Sequence, residues 1–486
     1  MTGKLKQKAI SGVIWSAVEK FGSSACMFIA NLILARLLIP EDFGAVAMLM
    51  VFISISETIV NAGFCTALIQ KKEIDKVDCS TVFVWNITFS SIIYIILYAI
   101  SPYIANFYNI EILKDVLRIQ SIVIPVNSLS LVQLALFQKE LEFKMIAKIN
   151  LSAMLLGTLL GIYFAFIGYG VWSLVIKQVS TSVVQSILYL YCGKWKMGFT
   201  FSYSHFKQMF SFASFVLLNR LVNTLYHNVL AMIIGKSYSA ATLGCYNQAR
   251  KLEDLPRSSI SSIVNSVVFP LFSKVNNNIE KQRYAMSKGL RALSFVSIPV
   301  LFLLMIVAQP LIIFLFTEKW IDAVPYFQIL CVGGMFITPL EINTELLNSK
   351  GCSKLTFNIR LFQLIFGLVI ILLTYRLGLN VLLWSYVLSQ LVSYLLSAYF
   401  TGKHVDYGLV RQILDMLPFI ATSIVCSLLT LVIIQITGSL GILIQLIASV
   451  LAFVVSYVMI VFILQFEERK LLGLFMKYQD NFIKEN

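Results

Sequence analysis

Apolar stretches close to the length of a bilayer's hydrocarbon core recur about fourteen times along the 486 residues, with Lys and Arg almost confined to alternate connections. A core about 30 Å thick takes roughly 20 apolar residues per helix, so fourteen crossings use about 280 positions. The 58% hydrophobic content supplies that number and leaves nothing over for a soluble domain. Spans are expected near 12–37, 44–68, 80–101, 116–137, 149–167, 171–191, 209–234, 241–271, 292–316, 323–347, 357–375, 380–400, 413–436 and 440–465, the eighth being the least apolar. With the amino terminus inside, 26 basic residues fall in cytoplasmic segments and only Lys114, Lys236, Lys319 and Arg376 in outer loops. Such a bias over short loops sets the orientation, both ends cytoplasmic, and a missed helix would scramble it.

The net charge of +14 does not point to nucleic acid, because the cations are dispersed through short loops, where anionic lipid headgroups are the natural partner. The eight cysteines form no C-x-x-C pair and read as small hydrophobes. The first apolar stretch follows lysines as a signal peptide would, yet it runs past Ile33 without a small-residue cleavage site, so it is expected to remain as a helix. Gly235-Lys236-Ser237 is only a fragment of a phosphate-binding loop, with Leu230 where the first glycine belongs. His205, His227 and His404 are scattered, and neither a metal-ligand set nor an outer loop large enough for a paired-carboxylate catalyst is present. No enzyme, cofactor or metal is expected.

A weak internal repeat organises the chain. Leu34 to Leu38 and Phe43-Gly44 correspond to Leu230 to Ile234 and Leu243-Gly244, while Gln138 to Lys144 and Gly168 to Val171 recur 210 positions later. The economical architecture is all-α: a six-helix lobe over residues 1–200, a second over 201–405 in parallel pseudo-two-fold repeat, and two additional helices with a cytoplasmic tail over 406–486. Parallel repeats of this kind place a substrate site between the halves.

Ionisable residues deep in the spans mark where that substrate would bind, since each costs on the order of 3 kcal/mol in hydrocarbon unless it faces a wet cavity or a partner. Arg220, Asn223, Thr224 and His227 share one helical face, and Arg250, Glu253, Asp254 and Arg257 repeat that spacing next to Lys251. Glu57 lies on a stripe with Ser54 and Asn61, Lys20 follows Glu19 in the first span, and Glu341 shares a stripe with Thr338, Glu345 and Asn348. Plainer readings exist. Arg36, Arg118, Lys177 and Glu345 lie near span ends and can snorkel, the i, i+4 pairs Arg250–Asp254 and Glu253–Arg257 can simply neutralise each other, and Gly157 and Gly161 fit close helix packing. Pro125, Pro256, Pro299 and Pro339 interrupt spans. Eight intramembrane cations against six acids favour an anionic cargo, with Lys20, Arg220, Arg250, Lys251, Arg257, Asn223 and His227 as substrate-binding candidates. Glu57, Asp254 and Glu341 are the candidates for ion coupling.

The run from Leu34, Ala35 and Arg36 through Pro40 to Phe43 and Gly44 resembles the L-A-R-x-L-x-P-x-x-[FY]-G signature of bacterial polysaccharide flippases. These form a branch of the multidrug/oligosaccharidyl-lipid/polysaccharide superfamily. Asn61 to Phe64 and Ala67 to Lys72 resemble the subgroup of O-antigen, colanic-acid and teichuronic-acid exporters, although Gly235 to Tyr238 departs from the Pro-Glu-Asp turn in the second half. The resemblance implies a fold like the MATE and MurJ carriers. It also implies translocation of an undecaprenyl-diphosphate-linked oligosaccharide across the bacterial plasma membrane by alternating access. A proton or sodium gradient would drive the step, and a polymerase with its chain-length machinery would be a partner. A drug/cation antiporter of the same superfamily is the main alternative, and a membrane polymerase or ligase the more distant one.

Overall fold

The computed structural model describes residues 3–61, 63–71, 73–263, 272–273, 275, 278–466 and 468. Every regular element among them is helical, as an apolar chain must be when hydrocarbon offers its backbone no other hydrogen-bond partner. Twelve helical segments are long and apolar enough to cross a membrane. The two remaining segments of the expected fourteen, α9 (Tyr203–Ser237) and α10 (Ala240–Ile263), have the length, and α10 carries five ionisable side chains between Arg250 and Arg257. The outward distribution is that of a protein in lipid. Phe166 and Leu373 are 80% and 72% exposed, while Gln120, Asn343 and Gln412 are fully buried.

Two compact units make up the chain, Met1–Gly244 and Cys245–Asn486. In the first, α1 (Gly3–Leu37) packs along α7 (Phe143–Phe166), which packs in turn on α8 (Val171–Cys192). The α7–α8 contact is close because Gly157 and Gly161 present no side chain there: a Cβ on Gly157 would stand 2.8 Å from the Lys177 carbonyl, and one on Gly161 2.6 Å from the Lys177 Cβ. The small-residue packing expected of this pair is therefore what forms. Two spans of this unit are broken. The second divides into α2 (Pro40–Val60) and α3 (Phe64–Gln70) at Gly63, whose φ of 77° suits glycine. The fourth divides into α5 (Ile112–Gln120) and α6 (Val123–Lys139). Pro125 thus sits in the first turn of α6, where a missing N–H costs nothing. Between them runs α4 (Lys76–Tyr108), opened by a reciprocal capping box: Asp78 N–H donates to Asp75 at 2.6 Å and Asp75 N–H to Asp78 at 3.1 Å.

The second unit is built around α11 (Ile279–Ile306), which packs on α13 (Ala323–Ser349) and α16 (Leu409–Thr437). Beside α11 lies the short α12 (Ala308–Phe316); α14 (Ser353–Thr374) packs on α15 (Leu379–Val405), and α17 (Ile442–Ile463) on α16. Met286, Leu290, Phe295, Ile342, Phe419 and Phe453 fill the core, with Tyr457 donating to the Phe295 carbonyl at 2.9 Å. Two pairs of polar side chains buried in this unit satisfy each other: Asn343 and Gln412 exchange two amide hydrogen bonds of 3.0 and 2.9 Å, and Gln363 donates to Gln390 at 2.6 Å. All eight cysteines are free thiols.

Candidate translocation site

The signature residues serve the backbone. Leu34 and Ala35 are fully buried, Phe43 nearly so, and Arg36 is exposed. Pro40 is the first residue of α2, where its fixed φ starts the helix. Gly44 lies against the backbone of Ala240, so that a Cβ there would run into the Ala240 carbonyl, and a Cβ on Gly244 would collide with the Pro40 carbonyl. Two glycines in corresponding places of the sequence repeat thus meet at one crossing, each four residues beyond the carbonyl that the other needs cleared.

In the first unit the sequence-derived candidates fall into three groups. Lys20 is exposed on α1, while its neighbour Glu19 accepts from Asn150 at 2.7 Å. Asn150 in turn accepts from Gln185 at 2.8 Å and from the Tyr189 hydroxyl at 2.9 Å. Glu57, partly buried on α2, accepts from Asn127 of α6 at 3.1 Å. One residue further, Thr58 and Thr224 share a hydroxyl hydrogen bond of 2.9 Å between α2 and α9. Arg220 is exposed on α9 with one guanidinium nitrogen 3.5 Å from the Thr66 hydroxyl. The side chains of Asn223 and His227 lie outside the described residues. Asn127, Asn150, Gln185 and Tyr189 escaped notice because a lone amide or phenol in an apolar span has no periodic signal. Arg118 is held locally: it donates to Ser101 at 2.9 Å and stacks 4.3 Å over Tyr98.

The second unit brings the α10 candidates together. Arg257 pairs with Glu253 at 3.3 Å and with Asp254, and Arg250 donates to the Tyr246 hydroxyl at 3.3 Å. Lys251 is exposed beside them. The expected Glu253–Arg257 pair therefore forms, and Asp254 joins it on the same guanidinium. Glu341 lies partly buried on α13, away from the Asn343–Gln412 pair that faces the core. One group missed by motif spacing has the donor types of a metal site: Asp75, Asp78 and His205 bring ligand atoms within 4.8 Å of one another. However, Lys71 occupies both Asp78 oxygens at 2.6 and 2.7 Å, and the His205 Nδ1–H donates to one of them at 2.7 Å. An ammonium already in place makes this an ion-paired anchor for the start of α9.

The solved structures similar to this helical fold are of carriers. The "Lipid II flippase MurJ, inward closed conformation" aligns over 93% of this chain and 100% of its own with a TM-score of 0.73 at 16% identity. An inward-facing multidrug resistance MATE family transporter of the MOP superfamily aligns over 79% and 94% with a TM-score of 0.61. By sequence, residues 33–325 match the family described as polysaccharide biosynthesis protein, and the chain belongs to that family. It is 27% identical over 423 residues to the teichuronic acid biosynthesis protein TuaB of Bacillus subtilis, covering 86% of this chain and 88% of that one. Over 361 residues it is 26% identical to the lipopolysaccharide biosynthesis protein WzxC of Escherichia coli, covering 74% and 73%. The succinoglycan biosynthesis transport protein ExoT of Rhizobium meliloti is 24% identical over 359 residues, covering 74% and 72%.

Proposed function

We propose that this multi-pass membrane protein is a flippase that moves a polyprenyl-diphosphate-linked oligosaccharide from the inner to the outer leaflet of a bacterial plasma membrane, with both termini cytoplasmic. The observation that carries the reading is the α10 cluster, where Arg250, Lys251 and Arg257 stand with Glu253 and Asp254 on one helix of membrane length, three cations against two acids. Guanidinium forks suit phosphate oxygens. Lys20 and Arg220, exposed in the first unit, are further cations suited to phosphate or to acidic sugars. Asn223 and His227 complete that face of α9 in the sequence and would accept or donate to sugar hydroxyls. Relatives named for teichuronic acid, lipopolysaccharide and succinoglycan biosynthesis support a glycan cargo.

Alternating access between two lobes would carry the headgroup while the polyprenyl tail stays in lipid, and a proton or sodium gradient would drive it through Glu57, with Asp254 and Glu341 as further carboxylates. A polymerase on the outer face would consume the product. The test is reconstitution of the purified protein in vesicles containing a fluorescent lipid-linked oligosaccharide, scored by access of an impermeant glycosidase to the headgroup. Protein-dependent exposure is expected. Proton flux stimulated by cationic dyes, without headgroup exposure, would instead make it a drug/cation antiporter, the reading that the MATE-like fold keeps open.

A further inference from the structure

Glu253 is the one acid of α10 enclosed in the protein interior. Its residue is 4% exposed, whereas the Asp254 side chain on the same Arg257 is 39% exposed. Oε1 of Glu253 lies 3.3 Å from Arg257 Nε yet accepts no hydrogen bond among the described residues. On the opposite side α13 approaches at Gly334, where an added methyl group would stand 2.7 Å from that oxygen, and Leu301 of α11 closes the same spot. Arg257 Nε donates to the other oxygen, Oε2, at 3.4 Å, so the carboxylate has its hydrogen-bonded cation on one side and the Gly334–Leu301 surface on the other.

We propose that Glu253 is a resident counter-anion, paired with Arg257 while the carrier is empty and exchanged for a headgroup phosphate during transport. This rests on reading α10 as the headgroup site. A phosphate that takes the Arg257 fork displaces both carboxylates. Asp254 can turn to water, but Glu253 is left as a buried anion without its partner, which is strongly unfavourable. That penalty subtracts from the affinity for the headgroup. A carrier needs such a limit, because binding must be weak enough for release on the far side. A proton from water onto Glu253 removes the penalty, so affinity rises as pH falls. Around the carboxylate, Tyr246, Arg250, Asp254 and Arg257 lie on α10, Cys331 on α13, and Tyr386 of α15 stands within electrostatic reach of both arginines. A proton taken up with the headgroup travels in the headgroup's direction. Glu253 is therefore distinct from any carboxylate that exchanges an inward proton for an outward lipid.

The test titrates full-length protein in nanodiscs with undecaprenyl diphosphate and reads affinity and release rate. At pH 7.5, Glu253→Gln binds about tenfold more tightly than wild type and releases more slowly. Wild-type affinity climbs towards that of Glu253→Gln as pH is lowered to 5.5, beyond the change shown by Glu253→Gln itself, which carries the phosphate's own titration. Asp254→Asn has the smaller effect, and Arg257→Gln binds weakly at every pH. If Glu253→Gln does not fold, the excess pH response of wild type over Arg257→Gln decides the matter. Weakened Arg257→Gln binding together with no gain in Glu253→Gln, or with no excess pH response, overturns the counter-anion role while leaving the headgroup site. Undiminished binding by Arg257→Gln overturns the headgroup site itself.

Discussion

Asn127 donates its side-chain amide to the Glu57 carboxylate across 3.1 Å, joining α6 to α2 through a pair of polar groups. The amide both holds the carboxylate in place and leaves it free of any cation in ion-pair range among the described residues. Glu57→Gln preserves a hydrogen-bonding group of the same shape and is expected to fold normally while transport becomes insensitive to an imposed pH or sodium gradient. Glu57→Ala strands the Asn127 amide and should cost about 1–3 kcal/mol of stability. Vesicle assays with and without a gradient check the first, and thermal unfolding in detergent the second. A Glu57→Gln protein that still responds fully to the gradient removes Glu57 from coupling.

The glycine crossing between α2 and the first turn of α10 makes a separate prediction. Gly44→Ala and Gly244→Ala each drive a methyl group into a backbone carbonyl, which cannot swing aside as a side chain can. Overpacking of this kind costs about 1–3 kcal/mol, so both variants should unfold at lower temperature. Gly289→Ala on α11 is the control: a Cβ there meets nothing within 4 Å, and removing a helical glycine should be neutral or stabilising by up to about 1 kcal/mol.

The helical, membrane-spanning character was legible because apolar length and the placement of Lys and Arg are written directly in the sequence, and the family through the resemblance carried by Leu34 to Gly44. So was the pairing of Arg257 with Glu253, because i, i+4 geometry is local. Breaks within spans were not: Gly63 and the turn at Ser121 interrupt helices without changing hydropathy. Cross-helix pairs were also hidden, since Glu57–Asn127 is 70 residues apart and Glu19–Asn150 is 131. Nor did charge counting separate loop cations that meet lipid from those consumed by protein. Arg291 forks onto Glu468 at 2.7 and 3.2 Å, and Arg283 and Arg411 converge on Asp406 at 2.8 and 2.9 Å.

That network yields an alkaline prediction. Tyr407, in the turn before α16, donates to Asp415 at 2.5 Å, and Ser287 donates to the same oxygen at 2.5 Å. Burial, and then the Asp415 carboxylate, push the Tyr407 phenol well above its ordinary value of 10.0. The unfolded chain therefore loses this proton first, and the stability it contributes, fully present below pH 10, declines above it. Tyr407→Phe should lose about 0.5–1.5 kcal/mol at neutral pH and show a shallower fall in melting temperature between pH 9 and 11 than wild type. Equal slopes would mean that the phenol does not titrate against folding.

The cationic grip is tested by neutralising its members singly. Lys20→Gln, Arg220→Gln, Arg250→Gln and Arg257→Gln each remove one charge while keeping an amide of comparable reach. A charge-assisted hydrogen bond contributes about 1.5–3 kcal/mol, so each loss should weaken apparent headgroup affinity roughly tenfold to a hundredfold. The exposed Lys20 and Arg220 should fall at the lower end, because water replaces what they lose. Arg250, half-buried against Tyr246, should fall at the upper end. Arg257→Gln should combine weak binding with reduced stability, since two carboxylates lose their shared cation. Arg250→Lys separates charge from shape: if planar, forked donation to phosphate matters, lysine restores less than half of the transport rate, whereas full rescue reduces Arg250 to a point charge.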